Sequence, residues 1–397
     1  MRDVLIIGGG PGGSTCATLL AQHGRQVLLL EKDKFPRFHI GESLLPCDLP
    51  IFARLGVSLD GGPFLRKAGA EFINESTGQR CNFVFERGLP GTPGHAYQVE
   101  RARFDDLLLT RARQAGAQVR DCERVTSVSL GGDHVEATTE AGVHRGRYLI
   151  DATGQDAFLA RRNRTIEPLR DFGVAAVFCH FDGLSSDVAS ELGLSGNIQV
   201  LILDHGWAWL IPLHGRRLSC GVVTRKTGVT DALLDDTIAA SAHITRLTCG
   251  ATRSGARIIR NFSYRNARTR GPRWTCVGDA SIFLDPVFSS GVSLAMLAGE
   301  RTADLLAPAL REGREADPEL MAPVAEHMHT AYVSFATLIG AFYKTRLVDN
   351  VFFAPDPDPE IVSGLVSVLA GDVWRSDNRF QRGLVSSSKR RIDPTVG

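Results

Sequence analysis

The sequence has little that would hold a metal, a disulfide framework or a nucleic acid. Its eight cysteines contain no C-x-x-C pair and form no cluster with histidine at metal-ligand spacing. We therefore expect free thiols, a reducing compartment and no metal site. The formal net charge is only +1, and the basic run 389–391 has no interleaved aromatic residues. This pattern predicts no nucleic-acid partner.

The sequence also lacks an apolar run long enough to cross a bilayer. The most apolar late segment, 331–343, falls well below the roughly 20 residues that a membrane span needs. Met1 is followed almost at once by the apolar run 4–7, without a basic leader, so we expect no signal peptide. These absences predict a cytoplasmic protein with no membrane partner. The 397 residues exceed one simple domain, so two intertwined lobes are expected.

A glycine-rich segment near the N-terminus is the strongest local signal. The apolar run 4–7 ends in Gly8-x-Gly10-x-x-Gly13, and residues 14–23 have alanine and leucine at helical spacing. A second apolar run, 26–30, follows and ends at Glu31. Strand, glycine turn, helix, strand and acid in this order are typical of a Rossmann-type dinucleotide-binding unit.

Each part of this unit has a physical role. Gly8 allows a tight turn, Gly10 lets the backbone approach a pyrophosphate, and Gly13 lets the helix pack on the strand. The helix N-terminus favours phosphates, and Glu31 is placed to accept hydrogen bonds from ribose hydroxyls. The sequence therefore predicts that the chain binds an ADP-containing dinucleotide.

Later segments point to FAD as that dinucleotide. One apolar strand ends in Asp-x-x-Gly at 151–154, another ends in Gly-Asp at 278–279, and both resemble the FAD-dependent monooxygenase superfamily. The resemblance implies that Asp279 hydrogen-bonds the ribityl chain and that Arg101, in a third similar segment, lies beside the flavin. No second glycine-rich strand-turn-helix follows, so we expect reducing equivalents from a flavin reductase or from transiently docked NAD(P)H.

The segment 206–212 narrows the resemblance further. It reads Gly-Trp-Ala-Trp-Leu-Ile-Pro and resembles the W-x-W-x-I-P signature of flavin-dependent halogenases. Residues from 199 onward are strand-like, so Trp207 and Trp209 point to the same face and form a rigid apolar wall. The resemblance implies that this wall keeps the substrate away from the flavin. The W-x-W pair alone would favour two tryptophans in a buried core, but Ile211-Pro212 at the right offset favours the halogenase signature.

The segment 285–292 resembles the halogenase segment beneath the isoalloxazine ring. N–H groups of a serine-glycine turn before a helix suit an anion. The resemblance places Pro286 and Gly291 at the flavin, and a halide ion at Ser290 and Gly291. The same turn equally fits the O2/N1 edge of the flavin, as in related hydroxylases, and the residues leave both readings open.

The segment 64–72 resembles the halogenase strand that carries the active-site lysine. The resemblance gives that role to Lys67, and burial would lower its pKa and make the neutral amine available. Arg66 next to it is the alternative inward residue.

The loop 36–44 also resembles this clade. It follows the ribose acid and is expected to lie along the flavin. We predict that Arg37 and Ser43 contact the cofactor, whereas His39 fits an ordinary packed imidazole.

The expected architecture is an α/β fold. A Rossmann-type FAD-binding domain is predicted from three segments, 1–65, 90–165 and 265–305. An inserted mixed or antiparallel β-sheet domain from 66–90 and 166–264 would hold the substrate, and a C-terminal helical region, 306–397, would cover it. The Pro-rich stretch 354–359 is predicted to be a loop between short helices.

The leading hypothesis is an FADH2- and O2-dependent halogenase of a phenol or pyrrole in antibiotic or other natural-product biosynthesis. The resemblance implies a flavin hydroperoxide, a halide oxidised to hypohalous acid, and a relay of that acid past the tryptophans to Lys67. A separate flavin reductase would supply reduced FAD, and the aromatic substrate would be free or tethered to a carrier protein. The alternative is a monooxygenase or dehydrogenase on the same scaffold that uses NAD(P)H directly and no halide.

Overall fold

The computed structural model describes residues 1–169, 171–344 and 346–388, so the basic run 389–391 lies outside the described residues. No helix in these ranges combines the length and apolar character that crossing a membrane requires. All eight cysteines are free thiols.

The described ranges contain strands and helices distributed along the whole chain. The strands are β1 (Arg2–Ile7), β2 (Val27–Leu30), β3 (Leu65–Lys67), β4 (Gly69–Asn74), β5 (Gln79–Val84), β6 (Ala96–Gln98), β7 (Gln118–Arg120), β8 (Val125–Ser129), β9 (Val135–Thr139), β10 (Gly142–Asp151), β11 (Ile166–Pro168), β12 (Ala175–Asp182), β13 (Ile198–Leu203), β14 (Gly206–Leu213), β15 (Arg217–Thr224), β16 (Thr252–Arg253), β17 (Arg257–Arg260), β18 (Tyr264–Asn266), β19 (Arg270–Gly271), β20 (Trp274–Cys276) and β21 (Ile282–Phe283). The α-helices are α1 (Pro11–Gln22), α2 (Leu49–Leu55), α3 (Arg101–Gln114), α4 (Phe158–Asn163), α5 (Ser186–Gly193), α6 (Ala232–Ala240), α7 (Ala242–Thr248), α8 (Gly291–Glu312), α9 (Ala322–Lys344), α10 (Pro359–Leu369) and α11 (Arg379–Ser388).

The first sheet is the Rossmann-type sheet that the sequence predicts. Its order is β19-β20-β10-β1-β2-β7, and β20, β10, β1, β2 and β7 are parallel. The β8–β9 hairpin pairs with the first half of β10. β1 and β2 are nearly continuous apolar runs because helices and loops bury both faces of a parallel sheet.

The second sheet is mostly antiparallel and comes from two separated stretches of the chain. Its order is β16-β12-β15-β14-β13-β4-β5, with β17 also pairing with β12, and only the β13–β4 pair is parallel. Successive side chains of β14 point to opposite faces of the sheet and therefore pack into two different cores. Trp207 and Trp209 face the core shared with the first sheet, whereas Ala208 and Leu210 face a separate core.

The C-terminal helices cover the second sheet, as the sequence predicts. Phe352 precedes α10, and its ring centroid lies 4.6 Å from that of Phe72 on β4 and 5.1 Å from that of Phe83 on β5. Residues 354–358 form an irregular connection, and Pro359 begins α10. An aromatic cluster therefore fixes the C-terminal region on the sheet that carries the two tryptophans.

Helices α1 and α8 approach each other at unusually short range. A Cβ atom on Gly299 of α8 would lie 2.5 Å from the carbonyl oxygen of Gly12 in α1. A Cβ atom on Gly12 would in turn lie 3.0 Å from the carbonyl oxygen of Ala295. α1 begins at Pro11, earlier than the predicted position 14, because the fixed φ of proline suits the first turn of a helix.

This contact predicts the effect of adding one methyl group. Gly299→Ala should destabilise the protein by about 2 kcal/mol, because the new Cβ meets a backbone atom that cannot move aside. Gly340→Ala is the matched control, because it lies within α9 and a Cβ there meets nothing within 4 Å. The control should raise stability by up to about 1 kcal/mol through helix propensity. Thermal and urea unfolding of both variants measure this, and a Gly299→Ala protein as stable as wild type would contradict the close contact.

Candidate active site

A cavity of about 450 Å³ opens where the carboxyl ends of the parallel strands meet the second sheet and the start of α8. This is the usual ligand position in open α/β sheets. Most of the predicted site residues line it: Gly8, Gly10, Glu31, Arg37, Ser43, Arg101, Trp207, Trp209, Asp279, Pro286, Ser290 and Gly291. Gly13 and Lys67 do not line it.

The glycine turn has the geometry that a pyrophosphate needs. Gly8 has a φ of +103°, and a Cβ there would lie 2.3 Å from the carbonyl oxygen of Ala152. A Cβ on Gly13 would lie 2.0 Å from the carbonyl oxygen of Gly8, so this glycine allows α1 to pack directly on the turn. The N-terminus of α1 therefore points into the cavity with unpaired N–H groups.

Glu31 stands beside this turn and is buried. Its Oε2 accepts a hydrogen bond of 2.6 Å from the N–H of Gly9, and its Oε1 accepts one of 2.8 Å from the N–H of Asp33. Carboxylate oxygens have further lone pairs, so Glu31 can still accept from ribose hydroxyls. The acid thus fixes the glycine turn and offers acceptors to the cavity.

A buried ion network supports the loop 36–44. Arg101 donates two hydrogen bonds to the carboxylate of Asp105, at 2.7 and 2.9 Å, and a third of 2.6 Å to the carbonyl of Ile40. Arg37 adds a third hydrogen bond to Asp105, at 3.1 Å. Burial would raise the pKa of Asp105, but the two guanidinium groups hold it below its usual value. Burial and Arg101 lower the pKa of His39 to about 4, so this imidazole is neutral.

Two groups facing the cavity have no protein hydrogen-bond partner within the described residues. The hydroxyl oxygen of Ser43 is buried and unpaired, and no described donor reaches the carboxylate of Asp279. Burial raises the pKa of Asp279 to about 7, and Arg101 opposes this rise only in part. Leaving the buried Ser43 hydroxyl unpaired is costly, and the hydroxyls of a ribityl chain would satisfy both this group and the half-buried carboxylate of Asp279. The residues present therefore fit FAD.

The two tryptophans form one wall of the cavity. Their ring centroids are 5.9 Å apart and their planes meet at 49°. Trp209 donates from Nε1 to the Ser219 hydroxyl at 3.1 Å, and Trp207 donates to the Tyr343 hydroxyl at 3.0 Å. Because both indole N–H groups are satisfied, the wall is apolar towards the cavity and fixed in orientation.

Tyr343 connects this wall to the segment 285–292, which precedes and begins α8. Its hydroxyl donates to Oδ2 of Asp285 at 2.7 Å, and the same carboxylate accepts from the N–H groups of Gly173 and Val287. Burial raises the pKa of Asp285 in spite of these hydrogen bonds. No sequence pattern indicates Tyr343, which only ends an apolar helical stretch, and the resemblance of the segment 285–292 assigns no role to Asp285.

The turn before α8 presents backbone donors to the cavity. Ser289 has a φ of +57°, and Ser290 is buried and precedes Gly291, the first residue of α8. The first N–H groups of a helix have no partner within it, and the helix dipole favours negative charge there. This geometry suits either a halide or the electron-rich edge of the flavin, so the halide site stays a prediction.

Lys67, not Arg66, is the inward residue of β3. Its side chain is 1% exposed, and its Nζ donates to the carbonyl oxygen of Leu44 at 2.9 Å. Burial lowers its pKa to about 7. Ser43 lines the cavity and Leu44 follows it, so the amine lies directly behind the cavity lining.

A further carboxylate at the cavity, that of Glu42, was given no role by the sequence analysis. Glu42 is buried, lines the cavity, and holds both carboxylate oxygens 3.0 Å from Nε2 of His180 on β12. The Phe38 ring packs edge-on against this imidazole, with centroids 5.9 Å apart. The pair ties the loop 36–44 to the second sheet. No sequence pattern places His180 there, because the two residues are 138 positions apart.

A Rossmann-type sheet, a phosphate-binding turn and a cavity matched to a flavin define the class: the protein is an FAD-dependent oxidoreductase. The family model for an FAD binding domain matches residues 1–164, and the model for tryptophan halogenase matches residues 83–381. The chain belongs to the tryptophan halogenase family, the flavin-dependent halogenases.

Two brominases and a flavoprotein/dehydrogenase are among the similar proteins. A 1H-pyrrole-2-carbonyl-(peptidyl-carrier protein) brominase of Pseudoalteromonas luteoviolacea is 34% identical over 328 residues, which cover 78% of each chain. The solved structure of the flavin-dependent brominase Bmp2 has a TM-score of 0.85 and 28% identity, over 98% of each chain. A flavoprotein/dehydrogenase from Cytophaga hutchinsonii has a TM-score of 0.87 and 28% identity, over 98% of this chain and 99% of that one.

The position of Asp279 predicts how FAD affinity depends on pH. Ribityl hydroxyls that donate to the carboxylate favour its ionised form, so FAD must displace a proton wherever Asp279 is protonated in the free protein. Because that pKa is about 7, affinity should rise with pH up to neutrality, by at most about tenfold per pH unit, and level off above it.

Isothermal titration with FAD across about two pH units on either side of neutrality measures this slope. Asp279→Asn should bind more weakly than wild type at high pH and remove the Asp279-dependent part of the slope. Asp156→Asn is the matched control, because it changes an exposed acid of the same cavity. A wild-type slope retained in Asp279→Asn would show that another group takes up the proton.

Proposed function

We propose that the chain is an FADH2- and O2-dependent halogenase of an electron-rich aromatic, a phenol or a pyrrole, in natural-product biosynthesis. The observation that carries the proposal is the fixed tryptophan wall in the same cavity as the Ser290–Gly291 turn, within a tryptophan halogenase family member. When bound, reduced FAD with O2 supplies the oxidant that converts a halide into hypohalous acid.

The protein's own residues have distinct roles in this proposal. The N–H groups at Ser290 and Gly291 hold the halide at the positive end of α8. Trp207 and Trp209 offer no polar group to the cavity, since both indole N–H groups are engaged elsewhere. In this proposal the wall separates an aromatic substrate from the cofactor, and the small oxidant passes it.

Lys67 receives the hypohalous acid in the proposed relay. Its pKa of about 7 makes the neutral amine abundant at neutral pH, and a neutral amine can hydrogen-bond or capture an electrophilic halogen. Because Lys67 is fully buried behind Ser43 and Leu44, this segment must move for the acid to reach the amine.

The substrate class and the reductase are part of the same proposal. The brominase of Pseudoalteromonas luteoviolacea is named for a pyrrole carried on a peptidyl-carrier protein, which supports a pyrrole or phenol, free or carrier-bound, for this chain. The chain has one glycine-rich turn of the Rossmann type in its sequence, so we infer that a separate flavin reductase supplies the reduced cofactor.

A second candidate function rests on the dehydrogenase relative. The flavoprotein/dehydrogenase from Cytophaga hutchinsonii matches this chain over nearly its full length, and Lys67 does not line the cavity. On this alternative the chain oxidises its substrate directly at the flavin and needs no halide. It is either a monooxygenase that uses NAD(P)H or a dehydrogenase. The tryptophans would then shape the substrate pocket.

Bromide dependence separates the two candidates without knowledge of the substrate. Purified protein is mixed with chemically reduced FAD, O2 and bromide, and hypobromous acid is captured with a β-diketone trap. We expect brominated trap above the background of free reduced FAD. Hydrogen peroxide as the sole product, with or without bromide, would contradict halogenation and favour the alternative.

The lysine is tested in the same assay with a panel of phenols and pyrroles. Lys67→Met should lower aromatic bromination by about 10²-fold or more while oxidant formation from bromide persists. Lys226→Met, a change at an exposed lysine, is the matched control and should behave as wild type. Bromination by Lys67→Met at the wild-type rate would remove Lys67 from the path.

A further inference from the structure

The two tryptophans of the wall are held by different parts of the chain. Trp209 donates to Ser219 on β15, the strand next to its own in the same sheet. Trp207 donates instead to the hydroxyl of Tyr343, which lies near the end of α9 and 136 positions away in the sequence. The orientation of Trp207 therefore depends on the C-terminal region, whereas that of Trp209 depends on the sheet that carries it.

The hydroxyl of Tyr343 serves two buried partners, and chemistry fixes the direction of both hydrogen bonds. An indole N–H can only donate, so Tyr343 accepts from Trp207 at 3.0 Å, and its single proton goes to Oδ2 of Asp285 at 2.7 Å. Burial and the neighbouring carboxylate raise the pKa of Tyr343, so the hydroxyl keeps this proton. The chain of hydrogen bonds therefore runs from Trp207 through Tyr343 to Asp285.

Asp285 holds the segment that carries the Ser290–Gly291 turn. Its Oδ1 accepts from the N–H of Val287 at 3.0 Å, within that segment, and its Oδ2 accepts from the N–H of Gly173 at 2.8 Å. A Cβ atom on Gly173 would lie 2.4 Å from Oδ2, so the carboxylate packs directly against the backbone that leads into β12. The hydroxyl of Tyr343 supplies the third hydrogen bond to this carboxylate.

One hydroxyl thus satisfies a buried donor and a buried acceptor. Trp207 and Asp285 are each 1% exposed, so neither group meets bulk solvent if the hydroxyl is lost. Leaving a buried donor or acceptor unpaired costs more than the hydrogen bond itself contributes. Without the hydroxyl, each group gains by moving towards another partner, and the tryptophan wall and the turn would move with them.

We propose that Tyr343 is a positioning residue of the active site: its hydroxyl orients Trp207 and, through Asp285, sets the position of the Ser290–Gly291 turn. Tyr343 does not line the flavin cavity, so it acts through Trp207 and Asp285, which do. Its effect on a halide rests on the proposed function, whereas its effects on the wall and on the FAD cavity do not.

Three substitutions separate the parts of this proposal. Tyr343→Phe removes the hydroxyl and keeps the ring, so it tests the two hydrogen bonds alone. Tyr148→Phe is the matched control, because the hydroxyl of Tyr148 is also buried but has no hydrogen-bond partner within the described residues. Trp207→Phe removes the indole donor and leaves the hydrogen bond from Tyr343 to Asp285 in place.

The orientation of Trp207 is measured by NMR. The sequence contains four tryptophans, so protein with 15N-labelled indole groups gives four indole N–H signals, and Trp207→Phe identifies that of Trp207. In Tyr343→Phe we expect this signal to shift and its N–H to exchange with solvent about tenfold faster, because a hydrogen bond is lost. An unchanged signal in Tyr343→Phe, or an equal change in Tyr148→Phe, would overturn the role of Tyr343 at the wall.

The wild-type protein decides the same point if Tyr343→Phe does not fold. A Trp207 N–H that is buried and hydrogen-bonded is protected from exchange. A Trp207 N–H that exchanges as fast as an exposed indole would overturn the contact with Tyr343.

The position of the turn is measured by the affinity for FAD. The Ser290–Gly291 turn lines the cofactor cavity, so a displaced turn should weaken binding. We expect Tyr343→Phe to raise the dissociation constant of oxidised FAD by about tenfold, whereas Tyr148→Phe should leave it unchanged. Wild-type affinity in Tyr343→Phe would overturn the effect on the turn, and an equal loss in Trp207→Phe would reject the route through Asp285.

Bromide dependence gives the functional readout, with saturating reduced FAD, O2 and the β-diketone trap. We expect Tyr343→Phe to raise the bromide concentration for half-maximal formation of brominated trap by about tenfold, while the maximal rate stays within about threefold of wild type. A lower maximal rate at an unchanged bromide requirement would reject the positioning of the halide turn. The expected changes in NMR signal and FAD affinity, without bromide-dependent product from the wild type, would support the positioning role and reject the proposed halogenase function.

Discussion

The close packing of α1 on α8 is the contact on which the site depends. Both helices begin at the cavity, α1 at Pro11 and α8 at Gly291, and their backbones meet at Gly12, Ala295 and Gly299. This approach brings two positive helix ends to one pocket, one beside the phosphate-binding turn and one beside the Ser290–Gly291 turn. Any side chain at Gly299 would push α1 and α8 apart. The positive potential that the two helix ends create in the cavity therefore depends on the absence of a side chain at this position.

The polar groups around the cavity fall into two sets: those that hydrogen-bond to one another and hold a loop, and those that face the cavity without a protein partner. Arg101, Arg37 and Asp105 satisfy one another and the carbonyl of Ile40, which offsets the desolvation cost of burying them. Asp279 and Ser43 have no such partner within the described residues. The paired groups hold the loop 36–44, whereas Ser43 and Asp279 face the cavity and are available to a cofactor.

Sequence reasoning succeeded where the signal is local. The glycine turn, its acid Glu31 and the alternation of Trp207 and Trp209 each depend on neighbouring residues and on strand or helix periodicity, and the fold class follows from them. Tyr343 and His180 were missed because their partners lie far away in sequence: Asp285 and Glu42. A single polar residue on a helix or strand forms no recognisable sequence pattern, and its distant partner becomes known only from the folded structure.

The same limit applies to Lys67, whose residue type was predictable and whose surroundings were not. A resemblance gives a lysine its role by position, but the chemistry depends on whether the amine meets the cavity and on what neutralises its charge. In this chain the amine lies behind Ser43 and Leu44 and donates to the carbonyl oxygen of Leu44. The proposed relay to Lys67 requires this partition to open, whereas an enzyme that acts directly at the flavin does not require it. The Ser43–Leu44 segment, more than the tryptophan wall, is therefore where the two candidate functions differ physically.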